Sequence, residues 1–84
     1  MIRIQYFASV RETLGLDAES VEAPDGTFTV EHLMSRLAER HGDKWREAAR
    51  GGAVLVAVNH AMAKRSAALR AGDEVAFFPP VTGG

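Results

Sequence analysis

The chain has 84 residues, of which 46% are hydrophobic and 25% are charged, and its formal net charge at pH 7 is -1. This composition is typical of one globular domain and excludes a disordered chain or a strongly basic surface for nucleic acid. Cysteine is absent, which excludes disulfides, thiolate metal sites and a cysteine nucleophile. The opening "MIRIQYFASV" is too short an apolar stretch for a signal peptide or a membrane span. We therefore expect a cytoplasmic protein with no nucleic-acid or membrane partner.

The N-terminal segment predicts two strands separated by a short helical turn. The stretch "IRIQYF" alternates between two faces, with Ile2, Ile4 and Tyr6 on one and Arg3, Gln5 and Phe7 on the other. Such alternation predicts a half-buried strand. "SVRETLG" predicts a helical turn ended by Gly15, and "AESVEA" predicts a second short strand before the turn "PDGT".

One principal helix is predicted to begin after Thr29. Thr29 is a good N-cap residue, and Glu31 lies in the first turn, near the positive end of the helix dipole. The residues that share one face by the i, i+3, i+4, i+7 spacing are Val30, Leu33, Met34, Leu37, Ala38 and His41. Gly42 is predicted to end the helix in a left-handed conformation.

The C-terminal half predicts further strands and turns. "DKWREAARGG" predicts a short helix or loop whose Trp45 folds back onto the domain. The nearly continuous apolar run "AVLVAVN" predicts a central strand covered on both faces. "NHAM" and "LRAGDE" predict turns, and "EVAFF" predicts a last strand that Pro79 ends.

This order of elements predicts an α+β fold, with one mixed sheet and a single principal helix packed on one face. The first and last strands, both rich in aromatic residues, are expected to lie side by side in the middle of the sheet. We expect one domain over residues 1–84, with a flexible C-terminal tail over residues 79–84.

The sequence contains no pattern of a self-contained active site. His32, His41 and His60 lack the spacing and the acidic neighbours of a zinc site, so no metal site is predicted. Phosphate-binding glycine loops and a nucleophile-elbow motif are also missing. Asp73 and Glu74 follow Gly72, where turn formation explains them better than paired-carboxylate catalysis.

The ending "FFPPVTGG" is the most unusual segment of the chain. Proline cannot continue a central strand, so the sheet is expected to end at Phe78. The tail is expected to begin with a stiff backbone segment at Pro79. Two glycines at the terminus suit a tail that enters a narrow channel and presents an unhindered carboxyl group. Ordinary fraying of a chain end is the alternative.

A docking surface is predicted beside this tail. Phe7 lies on the otherwise polar face of the first strand, where leaving it in water forgoes roughly 1.5 to 3 kcal/mol of burial. Phe78 joins it if the first and last strands are neighbours, and Arg11 is a candidate rim contact. The alternative is that the segment "ASVRETLG" covers Phe7 within the domain.

The ending "GDEVAFFPPVTGG", the opening "MIRIQYFASVRETLG" and the segment "AVNHAMA" resemble the ubiquitin-like β-grasp sulfur carriers. In particular, they resemble the family of molybdopterin synthase small subunits, and the resemblance covers essentially the whole chain. It implies a β-grasp fold that binds no cofactor itself. An E1-like partner would use ATP to adenylate Gly84, and a sulfur donor would then convert it to a thiocarboxylate.

The same resemblance implies that the tail enters a large catalytic subunit, where the sulfur passes to a cyclic pyranopterin precursor to build the dithiolene of molybdopterin. The residues expected to contact partners are Phe7, Arg11, Phe78, Pro79, Pro80, Val81, Thr82 and Gly83. A carrier for thiazole or tRNA thiolation, or a ubiquitin-like protein modifier, remains the alternative.

Overall fold

The computed structural model describes residues 1–50 and 54–80. In these residues the order of elements is β1 (Ile2–Tyr6), α1 (Ala8–Leu14), β2 (Ala18–Val21), α2 (Val30–His41), α3 (Asp43–Ala48), β3 (Leu55–Val58), β4 (Ala61–Met62) and β5 (Glu74–Phe78). This order confirms the predicted strands of the N-terminal segment, the principal helix and the last strand.

The strands form one mixed sheet in the order β2-β1-β5-β3-β4. β1 and β5 are parallel, with Tyr6 opposite Phe77, whereas β3 is antiparallel to β5, with Leu55 opposite Phe78. The first and last strands are therefore neighbours in the middle of the sheet, as predicted. Together with the helices, this sheet makes the fold α+β.

The core lies between the sheet and the helices. Period-two alternation puts Ile2, Ile4 and Tyr6 of β1 on the core face, and all three are buried. The helical spacing puts four residues of α2 against them: Val30, Leu33, Met34 and Leu37. Trp45 of α3 folds back as predicted and meets Phe77 edge-on, with ring centroids 5.4 Å apart.

A capping box fixes the start of α2. The Thr29 Oγ1 accepts the His32 backbone N–H at 3.2 Å, and the Thr29 N–H donates to His32 Nδ1 at 3.1 Å. The prediction of Thr29 as N-cap is confirmed. His32 takes the place that Glu or Gln usually has in this motif.

The predicted left-handed end of α2 is wrong. Gly42 does end the helix, but its φ is 61° and its ψ is -127°, outside the left-handed helical region. The reason is that Gly42 is also the N-cap of α3, so the chain must reverse at once into the next helix. The positive φ still favours glycine at this position.

The prediction that β3 is covered on both faces is also wrong. Val56 is buried on the core face, but Leu55 and Ala57 on the other face are only half-buried. The strand lies inside the sheet, between β5 and the two-residue β4, and this placement explains its apolar character without a second covering layer.

Within residues 1–50 and 54–80, no helix has the length and apolar character needed to cross a bilayer.

Candidate docking face and tail

One face of the sheet points away from the helices, and we call it the outer face. Register partners on neighbouring strands share a face, so the alternation that buries one set of residues places the other set here. From β1, β5, β3 and β4 these residues are Arg3, Gln5, Phe7, Glu74, Ala76, Phe78, Leu55, Ala57 and Met62.

The end of the outer face nearest the tail is apolar. Phe7 continues β1, since its N–H donates to the Phe77 carbonyl at 3.1 Å. The side chains of this apolar patch are Phe7, Leu55, Ala57, Met62, Ala76 and Phe78. With strands about 4.8 Å apart, the patch spans roughly 14 Å from β1 to β4. Phe7 is 42% exposed and Met62 is 64% exposed, so the patch is open to a partner.

The opposite end of the outer face is charged. Arg3 is the register partner of Glu74, and His60 Nε2 lies 3.5 Å from Glu74 Oε1. The outer face is therefore apolar beside the tail and polar at its other end. Protein–protein interfaces likewise combine an apolar core with a polar rim.

The exposure of Phe7 decides between the two sequence interpretations of this ring. α1 begins at Ala8 and buries Val10 and Leu14 in the core, but it leaves Phe7 42% exposed. The interpretation that "ASVRETLG" covers Phe7 is wrong. Docking through Phe7 stays a prediction, and its ring is available for it.

Arg11 lies one helical turn after Phe7, whose carbonyl accepts the Arg11 N–H at 3.4 Å. Its guanidinium Nε is 3.9 Å from Asp17 Oδ1, and both side chains are exposed. Exposed ion pairs of this kind contribute little to stability. The Arg11 side chain is thus free to exchange Asp17 for a partner group, as a rim contact requires.

The tail leaves the sheet beside the apolar patch. β5 ends at Phe78, and Pro79 and Pro80 follow it without regular secondary structure, as the two prolines predict. The predicted contact residues Val81, Thr82 and Gly83 and the predicted reactive residue Gly84 lie outside the described residues.

Met62 and Leu55 are candidate contacts that the sequence interpretation missed. The sequence predicts a turn for the segment "NHAM", but only Asn59 and His60 turn, both with positive φ, and Met62 pairs with Ala57. A positive-φ pair is typical of a two-residue hairpin turn. Recognising that turn would have placed Met62 on a strand, and alternation along "AVLVAVN" would have placed Leu55 on the outer face.

Asp73 has the turn role that the sequence predicts. Its Oδ1 accepts from Asn59 Nδ2 at 3.0 Å and its Oδ2 accepts the Arg70 N–H at 2.9 Å. In the described part of the chain, His, Asp and Glu side chains form no group of three that could hold a metal ion.

Comparison with known proteins gives a family for the whole chain. Residues 4–84 match the ThiS family. The molybdopterin synthase sulfur carrier subunit of Escherichia coli is 46% identical over 84 residues, with all of both chains covered, and that of Haemophilus influenzae is 44% identical over the same length.

Solved structures agree on the fold. SAMP1 of Haloferax volcanii, a small archaeal modifier protein, is similar with a TM-score of 0.77 at 29% identity, covering 99% of this chain and 98% of that one. One chain in a complex of subunits 1 and 2 of the molybdopterin-converting factor of Helicobacter pylori is similar with a TM-score of 0.69 at 21% identity, covering 99% of this chain and 97% of that one. These likenesses confirm the predicted ubiquitin-like β-grasp fold. The chain belongs to the ThiS family and, by its identity to them along their full length, to the molybdopterin synthase sulfur carrier subunits.

Proposed function

We propose that this protein is the sulfur carrier subunit of a molybdopterin synthase, with Gly84 as the residue that carries the sulfur. The observation that supports this best is the open apolar patch beside the start of the tail, in a chain matched from end to end by sulfur carrier subunits. The fold supplies a docking face beside the strand end from which the tail continues, which is what a carrier needs.

The carrier chemistry takes place at the terminal carboxyl group. A carboxylate is a poor electrophile, so an E1-like partner first joins it to the α-phosphate of ATP, and pyrophosphate leaves. A sulfide equivalent from a sulfur donor then attacks the acyl-adenylate carbon, and AMP leaves. The product is a thiocarboxylate on Gly84. ATP is a substrate of the partner, and the carrier itself binds no cofactor. Because activation consumes ATP, we place the protein in the cytoplasm.

The two terminal glycines assist because they have no side chains. Gly83 and Gly84 have no Cβ atom, so a narrow channel can close around them and leave the terminal carbon accessible. Pro79 and Pro80 restrict the backbone where the tail leaves β5, so the chain cannot continue there as a central strand.

The large catalytic subunit is the partner that we assign to the apolar patch. Burying Phe7 and Met62 against it removes their exposed fractions, 42% and 64%, from water. Complete burial of a fully exposed side chain of this kind is worth roughly 1.5–3 kcal/mol, and each residue gains the corresponding share. The tail then enters that subunit, and the thiocarboxylate sulfur passes to the cyclic pyranopterin precursor. Two sulfur atoms per dithiolene require two carrier visits or two carriers. The activating enzyme needs the same terminus, so the carrier serves its two partners in turn.

Intact-mass measurement on full-length chain tests this proposal. Co-expression with an activating enzyme should add to the chain the mass difference between one sulfur and one oxygen atom, and incubation with the large subunit and precursor should remove it. Deleting Gly84 should abolish both changes and leave the thermal unfolding curve unchanged. Lys64→Ala, an exposed substitution that leaves the terminal glycines unchanged, is the control and should gain and lose the sulfur as wild type does. A Gly84 deletion that still supports molybdopterin formation would refute the proposal.

A protein modifier is the second candidate, favoured by the likeness to SAMP1. A modifier would form isopeptide bonds, so the same co-expression would yield adducts on lysines of other proteins. A carrier for thiazole or tRNA thiolation would gain the sulfur but would not lose it to the pyranopterin precursor.

A further inference from the structure

Four polar side chains form a cluster on the core side of the sheet that the proposed function leaves without a role. We call it the Glu19 cluster. The Tyr6 hydroxyl donates to Glu19 Oε2 at 2.6 Å, and Arg40 Nη1 donates to Glu19 Oε1 at 2.6 Å. His41 Nε2 lies 2.5 Å from Glu19 Oε2. The Glu19 side chain is 12% exposed. Groups from β1 and from the end of α2 thus converge on one carboxylate of β2.

The electrostatics of the cluster hold Glu19 as a carboxylate. Burial alone would raise the pKa of Glu19, but the hydrogen bonds from Tyr6, Arg40 and His41 outweigh it and lower the pKa below its usual value. Burial, and secondly the hydrogen bond to Glu19, raise the pKa of the Tyr6 hydroxyl. Tyr6 therefore remains a donor, and its bond to the carboxylate is charge-assisted and short.

Stability alone does not explain a polar cluster at this place. Well-packed apolar side chains of similar volume often stabilise a protein as much as a buried ionic group does. A hydrogen-bonded network differs from apolar packing because it is directional, so it specifies one arrangement of the groups it joins.

The Glu19 cluster is linked through Tyr6 to the strand ends that carry the apolar patch. Tyr6 is the last residue of β1, and its ring stacks on Phe77, its register partner in β5, with centroids 6.2 Å apart and an interplanar angle of 21°. The next residues on these strands, Phe7 and Phe78, point to the outer face.

The backbone at this place also needs support. Ala8 follows Phe7 with a φ of 51°, an unfavourable value for a residue with a side chain. Such conformations persist where the surrounding structure holds them. The Glu19 cluster holds the side chain of Tyr6, two residues before Ala8.

We propose that Glu19 is a positioning residue for partner docking: through the Tyr6 hydroxyl it fixes the ends of β1 and β5, so that Phe7 and Phe78 are ordered before a partner arrives. This inference rests on the proposed function, since it takes the apolar patch as the docking surface. Side chains that are ordered in advance avoid the entropy cost of being ordered on binding.

Substitutions that remove the hydrogen bond and preserve packing test the proposal. Tyr6→Phe removes only the hydroxyl, and Glu19→Met removes its acceptor. Both should weaken binding of the full chain to a purified large catalytic subunit roughly tenfold, the cost of ordering two aromatic side chains. Glu19→Gln keeps a carbonyl acceptor for Tyr6, so it should retain most of the affinity that Glu19→Met loses.

Val21→Ala is the matched control. Val21 is buried on the same strand as Glu19 but pairs with Ile2, at the far end of β1. It should lower stability and leave the dissociation constant within about twofold of wild type, because distant sites act independently. Titration calorimetry at a temperature where every variant is folded measures these constants.

Backbone NMR relaxation on the free chain gives a second readout that does not depend on a partner. In Tyr6→Phe the amide order parameters of Phe7 and Phe78 should fall below the value of about 0.85 typical of rigid backbone, and in Val21→Ala they should stay there. Wild-type order at both amides in Tyr6→Phe would overturn the inference, whatever the affinity. A wild-type chain that binds no large subunit would refute the proposed function alone, and the order parameters would still decide whether Glu19 positions the patch.

Discussion

Substitutions of two adjacent phenylalanines of β5 should have different effects, one on the stability of the domain and the other on docking. Phe77 points to the core, is fully buried and contacts the rings of Tyr6 and Trp45. Phe78 points to the outer face and is half-buried opposite Leu55. Each alanine substitution removes one phenyl ring, from the core face at Phe77 and from the outer face at Phe78. Each variant therefore serves as the control for the other.

The structure sets the size of each effect. Truncation of a buried phenylalanine costs about 3–5 kcal/mol, and for Phe77, with its two aromatic contacts, we expect about 4 kcal/mol. A domain of this size has roughly 4–13 kcal/mol of stability in total. Phe77→Ala should therefore lower the melting temperature by roughly 15–30 °C. Phe78→Ala should cost about 1 kcal/mol of stability, because its ring is only partly buried.

The loss of affinity should follow the reverse order, with the larger loss in Phe78→Ala. Phe78→Ala should weaken affinity for the large catalytic subunit by more than about 1 kcal/mol, the usual mark of an interface anchor. Phe77→Leu, a milder change for use if the alanine variant does not fold, should lose less affinity than Phe78→Ala, because it removes the ring that stacks on Tyr6 but keeps the Phe78 ring on the outer face. Urea unfolding followed by the fluorescence of Trp45, the one tryptophan of the chain, measures stability, and titration calorimetry measures affinity. Equal losses of stability for both alanine variants, or wild-type affinity in Phe78→Ala, would refute the assignment of the two faces.

Three further predictions concern single residues. Thr29→Ala should lower the free energy of unfolding by about 1 kcal/mol through loss of the capping box, whereas Thr29→Ser should retain most of it, as urea midpoints will show. Met62→Ser should change stability by less than about 0.5 kcal/mol yet weaken binding to the large subunit, and an unchanged dissociation constant would remove Met62 from the patch. Because folding lowers the pKa of Glu19, its contribution to stability is present above the unfolded value of 4.5 and is lost as the pH falls through the lower folded value. Glu19→Gln should flatten that acid limb of the curve of stability against pH, and an unchanged limb would contradict the role of Glu19.

The secondary structure could be predicted from the sequence where a local pattern determined it. Alternation placed Ile2, Ile4 and Tyr6 on the core face, and the helical spacing identified the buried face of α2. The prediction failed for β3, where an apolar run was interpreted as a strand covered on both faces. An interior strand needs neighbours on both sides within the sheet, and it can still leave one of its faces open.

The docking face could be predicted only in part. Phe7 and Phe78 stand out because aromatic residues interrupt or end a strand pattern. Met62 does not, since its exposure depends on a two-residue strand that follows a tight turn with two residues at positive φ. Nothing in the local hydrophobic pattern distinguishes such a methionine from a core residue.

The Glu19 cluster could not be predicted from any local pattern, and the reason bears on how the carrier works. Tyr6 is 13 residues from Glu19 in the chain, and Arg40 and His41 are 21 and 22 residues from it. These side chains meet only after β2 pairs with β1 and α2 packs across the sheet. The Gly-Gly ending, by contrast, is contiguous and needs no fold to be recognised. A terminus on a short tail can reach a partner's active site reproducibly only if the face that docks beside it is fixed. The proposed reactive group is therefore encoded locally, whereas the presentation that we propose for it depends on contacts that the whole fold must form.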